Sequence, residues 1–232
     1  MTLQPRSNFT GDKYRQQLPA GQRLIVVDLE TTGLSPYTER IIEIGALELI
    51  DFQKARTFDT LTQPSRVLPE KITQLTGISP GDLEGKPPPS EALKQFIAWI
   101  GPQEEVTFIS HNIAFDMSFL ECELGRVNRE QGEWLALPRS TFCTYNFIKS
   151  AFFGRQLDLD RACRLFAGQR KKAKDRHRAL ADCELTQKLL IALFNWTIFI
   201  DSPGLPIAAM EEDPTDSPPQ PTERKLPWGN HN

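Results

Sequence analysis

Cysteine is scarce and unpatterned. Cys122, Cys143, Cys163 and Cys183 are the only four in 232 residues, and they form no C-x-x-C pair and no short Cys/His ligand run. Free thiols in a reducing compartment are the reading that remains. Long apolar runs are missing as well. The longest, Leu189 to Ile200, is interrupted by Asn195 and is too short to span a bilayer. The first residues, MTLQPRSNFTGDKYRQQ, carry no apolar stretch of the kind a signal peptide needs. A soluble, cytoplasmic protein with no membrane partner is therefore expected. An excess of one charge is the third absence: 27 Lys and Arg face 30 Asp and Glu, for a net charge of −3. That balance disfavours a protein that coats DNA. It does not disfavour one that holds a strand end through metal ions, because the ions bring their own charge.

What is present suits one sizeable α/β domain: 39% apolar and 25% charged residues over a chain of this length. Leu24 to Leu29 (LIVVDL) is β-branched and apolar on both faces, which marks a strand buried from both sides. Thr31-Thr32-Gly33 then turns the chain. Arg40–Ile50 and Arg56–Thr62 read as two more strands, joined near Asp51 to Lys54. A short helix is expected over Pro69–Gly77, a loop over 80–90, and an amphipathic helix over Ser90–Ile100 stopped by Gly101-Pro102. A fourth strand over Val106–Ser110, a helix from Asn112 to about Gly125 and a fifth strand over Thr141–Thr144 follow. Helices over Leu157–Phe166 and His177–Trp196 close the domain. Strands that run as a meander and then alternate with helices imply a mixed five-stranded sheet flanked by helices. Residues 1–20 read as a loose lead-in, 21–200 as the domain, and the Pro- and acid-rich 201–232 as a disordered tail.

Three groups of polar residues stand out. Asp28 and Glu30, two apart on a strand, leave one face at its C-terminal end, where open α/β sheets place ligands. Alone, such a pair is as well explained by two surface acids at a fraying strand end. Asp116 sits in the first turn of a helix, where negative charge is favoured in any case. His177 and Asp182 lie five apart, roughly 140° around a straight helix, and converge only if His177 sits at the helix entry.

Taken together, VVDLETTGL (26–34), HNIAFDMSFL (111–120) and HRALADCELT (177–186) resemble the three exonuclease motifs of the DEDDh, DnaQ-like superfamily. That group includes the proofreading subunit of bacterial DNA polymerase III and ribonuclease T. FDTLTQPSRVLPEKITQLTGIS (58–79) and LDLDRACRLF (157–166) are similar to further stretches of the same family, so the resemblance runs from about residue 22 to 197.

The resemblance implies a ribonuclease H-like fold and a two-metal 3′→5′ exonuclease. Asp28, Glu30 and Asp182 would hold one Mg²⁺ or Mn²⁺, and Asp28 would bridge to a second supported by Asp116; hard oxygen donors suit these ions. His177 would be the general base, and its ordinary pKa near 6.5 suits that task. Thr31, Gly33 and Leu34 would meet the terminal base, and Asn112 and Phe115 the sugar and phosphate. The basic run with Lys171, Lys172 and Lys174 beside His177 would capture phosphate. A single-stranded 3′ end is the expected partner, with a DNA polymerase subunit as a second. Two alternatives stay open: the same chemistry on RNA ends, and an inactive nucleic-acid-binding or scaffold module.

Overall fold

The computed structural model describes residues 2–3, 11–18, 21–102, 106–132, 134–152, 154–169, 177–200 and 210–211. In chain order the elements are β1 (Thr2–Leu3), α1 (Asp12–Arg15), β2 (Arg23–Thr31), β3 (Ile41–Ile50), β4 (Gln53–Leu61), α2 (Glu70–Thr76), α3 (Pro80–Leu83) and α4 (Pro89–Ile100). They continue with β5 (Val106–Ser110), α5 (Ile113–Gln131), β6 (Ser140–Cys143), α6 (Thr144–Ala151), α7 (Leu159–Ala167), α8 (Ala179–Ile200) and β7 (Met210–Glu211).

Five strands form one sheet in the order β4-β3-β2-β5-β6. The first three pair antiparallel as a meander, and β5 and β6 join β2 in parallel. The expected mixed sheet is thus observed. The β3–β4 connection is a two-residue turn, Asp51-Phe52, with φ of 51° and 63°. Both residues stand in the left-handed region that a tight hairpin requires. Phe52 tolerates it because its ring packs on Phe194 of α8 at 4.7 Å and its carbonyl accepts from Gln187 at 3.2 Å.

The alternation of β2 divides the core. Ile25, Val27 and Leu29 face the cluster that α4 and α5 cover, with Phe96, Phe108 and Phe119. Leu24 and Val26 face the opposite cluster, built from α6, α7 and α8 with Phe147, Leu189 and Trp196. Being apolar on both faces is what a strand between two helical layers requires.

The structure corrects several boundaries. Within the expected 80–90 loop, Pro80–Leu83 forms a helical turn closed by a capping box between Ser79 and Asp82. Helix α5 does not end near Gly125 but runs on to Gln131, because Val127 is fully buried against the sheet. Burial there outweighs the roughly 1 kcal/mol that a helical glycine costs. Helix α6 was not expected at all. Part of the lead-in is packed, with Leu18 buried, and Thr2–Leu3 pairs with Met210–Glu211.

Candidate active site

The site begins where β2 outruns its neighbour. Strand β5 pairs with β2 from Arg23 only as far as Val26. On the other side β3 continues, setting Gly45 opposite Asp28 and Glu43 opposite Glu30. The β2–β3 register shifts between Glu30 and Thr31, a bulge of the kind that ends pairing beside functional sites. Asp28 and Glu30 share the parity of Leu24 and Val26, so both leave the face that α8 covers. Asp28 is half-buried and Glu30 buried.

Asp116 reaches this place from the first turn of α5. It is buried, and Ser110 Oγ donates to its Oδ2 at 2.6 Å. The Leu29 N–H, on the edge of β2 that β5 no longer covers, also bonds to it. Burial nevertheless dominates and pushes its pKa from 3.8 up to about 7, against the lowering effect of those hydrogen bonds. A third acid is thus set beside the two on β2, with burial favouring its neutral form.

His177 lies two residues before α8, with φ at 52°. Because it stands outside the helix, the roughly 140° that would separate it from Asp182 on a straight helix does not apply. Ligand atoms of Glu30, His177 and Asp182 all lie within 4.8 Å of one another. Asp182, on the first turn of α8, is buried.

These five residues line a single cleft of about 740 Å³. Of the substrate-contact residues expected from sequence, Asn112 and Phe115 line it too. Thr31 does not: it is buried, and its hydroxyl donates to the Gly33 carbonyl at 2.6 Å, closing the turn. Gly33 is held against the Glu39 side chain, which a Cβ would meet at 3.0 Å. Leu34 is 76% exposed on the loop after Glu30. Lys171, Lys172 and Lys174 lie outside the described residues.

Sequence reading missed the opposite wall. Asp160, Arg161 and Arg164 of α7 line the cleft, and Arg161 and Arg164, three apart, share a helix face. The basic i, i+3 spacing was the available signal. It also missed His111, another cleft residue. Both of its ring nitrogens are engaged, Nδ1 with Thr144 Oγ1 at 2.9 Å and Nε2 with the Leu157 carbonyl at 2.8 Å. Burial lowers its pKa, and the ring ties α6 to the chain before α7.

The donor set fits a divalent cation. Three ligand atoms converge on one point, two of them carboxylate oxygens, and Asp28 and Asp116 add further hard donors to the same cleft. Asp28, Glu30, Asp116 and Asp182, drawn together in this cleft, oppose one another's ionisation unless a cation offsets them.

Comparison with known proteins decides the family. A model of the RNase_T exonuclease family matches residues 25–190. The chain belongs to this family. It is a 3′→5′ exonuclease, a phosphodiester hydrolase, as its three motifs imply. The DNA polymerase III subunit epsilon of Rickettsia typhi is 34% identical over 173 residues, spanning 74% of this chain and 73% of that protein. The PolC-type DNA polymerase III of Clostridium perfringens is 38% identical over 170 residues, 72% of this chain but 11% of that much longer protein. Among solved structures, exonuclease X in complex with 5′ overhanging duplex DNA superposes with a TM-score of 0.56 at 21% identity, covering 81% of this chain and 96% of that one. That likeness shows the ribonuclease H-like fold. Membership in an exonuclease family sets aside the inactive scaffold module.

Proposed function

We propose that this exonuclease removes nucleotides one at a time from the 3′ end of single-stranded DNA, releasing nucleoside 5′-monophosphates. The observation that carries the reading is the convergence of Glu30, His177 and Asp182 within 4.8 Å in a cleft that Asp28 and Asp116 also line. Asp28, Glu30, Asp116 and Asp182 would hold two Mg²⁺ or Mn²⁺ ions. Bound there, the ions supply charge that offsets the carboxylates and stabilises the oxygens of an in-line displacement.

The chain's own groups do the rest. His177 takes the proton from the attacking water, which its position among the carboxylates and its intrinsic pKa suit. His111 is no rival for that role, since both its nitrogens are already engaged. Asn112 and Phe115 meet the terminal nucleotide, with the exposed Leu34 against its base. Arg161 and Lys171, Lys172 and Lys174 attract the phosphates behind it.

DNA is favoured over RNA by the likeness to the DNA polymerase III subunit epsilon. The same likeness makes a polymerase subunit the candidate protein partner. Among the described residues no helix is long and apolar enough to cross a membrane, and a cytoplasmic site of action is part of the proposal. Residues 21–200 are the proposed catalytic unit.

The test is digestion of matched 5′-labelled single-stranded DNA and RNA with Mg²⁺, wild type beside His177→Ala. A ladder shortening from the 3′ end on DNA, lost in the variant, is expected. Faster digestion of RNA would replace the DNA reading with the exoribonuclease one. An undiminished ladder in the variant would remove His177 as the base.

A further inference from the structure

Glu43 is 1% exposed, yet it ligates nothing in the cleft. Its carboxylate is taken up by the chain just after His177. Arg178 Nε donates to Oε1 at 3.0 Å and to Oε2 at 3.2 Å, and Arg178 Nη2 donates to Oε1 at 2.7 Å. The Ala179 N–H, the first of α8, donates to Oε2 at 3.0 Å. A strand carboxylate therefore caps a helix that begins on another element, and the positive end of that helix favours its charge.

His177 immediately precedes these two anchored residues and sits at φ 52°. A non-glycine residue in that region is strained and persists only where its surroundings impose it. The planar guanidinium fork, fixed at two points on a buried carboxylate, is a grip that a flexible ammonium does not reproduce. Glu43 is moreover the cross-strand partner of Glu30, so the grip is referenced to the strand that carries the acids.

We infer that the Glu43–Arg178 pair is a positioning device that fixes His177 against Glu30 and Asp182. It rests on the reading of His177 as the general base. Neither Arg178 nor Glu43 lines the cleft, and they act through the backbone of His177. A pair that merely stabilised the fold would slow the enzyme only in proportion to the protein lost to unfolding. A pair that aims the base lowers kcat in fully folded protein, because a small misplacement of a reacting group is costly.

The experiment is a double-mutant cycle between Arg178→Lys and His177→Ala in the full chain, with Glu43→Gln as a second route to the same loss of grip. Each variant is measured for kcat and KM on a 5′-labelled single-stranded oligonucleotide with Mg²⁺, for Mn²⁺ affinity by calorimetry, and for melting temperature. Arg178→Lys is expected to lower kcat about tenfold or more, with KM and Mn²⁺ affinity within about threefold of wild type. In the His177→Ala background the same change is expected to cost nothing further, because the group it positions is gone.

An equal fold-loss in both backgrounds would overturn the inference, as would wild-type kcat in folded Arg178→Lys and Glu43→Gln proteins. Wild-type kcat in His177→Ala alone would overturn the base assignment first and the inference with it, so the two failures are told apart by that single variant.

Discussion

Gly45 of β3 and Leu180 of α8 meet backbone to backbone: a Cβ at Gly45 would lie 2.4 Å from the Leu180 nitrogen. Gly45 is also the cross-strand partner of Asp28. The helix that carries Asp182 is therefore seated directly on the strand beside Asp28, with Cys183 Sγ reaching the Gly45 carbonyl at 3.3 Å. Gly45→Ala must lift the start of α8 from the sheet. A loss of about 1–3 kcal/mol or more in stability is expected, the usual cost of overpacking, together with a clear drop in Mn²⁺ affinity. Denaturant melts and calorimetry check both, and an unchanged Mn²⁺ affinity would show that α8 does not depend on this seat.

Asp116 is expected to make metal binding pH-dependent. Its folded pKa of about 7 lies above the ordinary 3.8, raised by burial. The stability it contributes is therefore present at low pH and lost as pH rises through about 7 in metal-free protein. Ionising it for a cation displaces a proton, so Mn²⁺ affinity is expected to fall about tenfold per pH unit below 7. Ser110→Ala removes a hydrogen bond that lowers this pKa and should move the transition to higher pH. Calorimetry between pH 5.5 and about 8.5 reads the slope; a flat profile would contradict the assignment.

Glu48 behaves in the opposite sense. Burial pushes its pKa up, but hydrogen bonds and charge from Arg56 and Arg23 outweigh it and hold the group below 4.5. Its stabilisation is present above the unfolded value and is lost as pH falls through the lowered folded one. Because both arginines are partly exposed, Glu48→Gln is expected to cost about 1–2 kcal/mol at pH 7. The difference from wild type should shrink below about pH 4. Urea melts at the two pH values decide it.

Arg161 lines the cleft, and among the described residues its guanidinium makes no ion pair. Arg161→Ala is expected to raise KM several-fold at unchanged kcat and to reduce the salt dependence of KM by about one phosphate contact. Equal salt slopes for the two proteins would remove it from the substrate path.

The tail sets a last expectation. Deleting residues 201–232 should leave the rate on a short oligonucleotide unchanged, since every described residue that lines the cleft precedes 201. A large loss of rate in the truncated, folded protein would extend the catalytic unit past 200.

The five strands of the sheet and most of the helices were legible in sequence for local reasons, while the five polar residues of the site were proposed from the resemblance of three motifs rather than from any one of them alone. The two-faced apolar run of β2 announces a strand between helical layers, and D-x-E at its end places two acids on one face. The periodic helices α4 and α8 announce themselves in the same way. What sequence could not show depends on contacts between distant segments. Glu43 reads as one more strand acid until α8 lands on it, and Gly45 as an interruption until Leu180 occupies the space a side chain would need. His111 draws no notice in the sequence until burial and two hydrogen bonds place it as a tie between α6 and the chain before α7. Arg161 and Arg164 are surface charges on a helix until α7 is laid along the cleft. Local periodicity is written in neighbouring residues, so the sequence by itself determined the sheet's strands, most of the helices and the family of the chain. Which carboxylate is caged, which histidine is tied up by Thr144 and Leu157 and which arginines line the cleft follow from burial and long-range packing, and only the tertiary structure decided them.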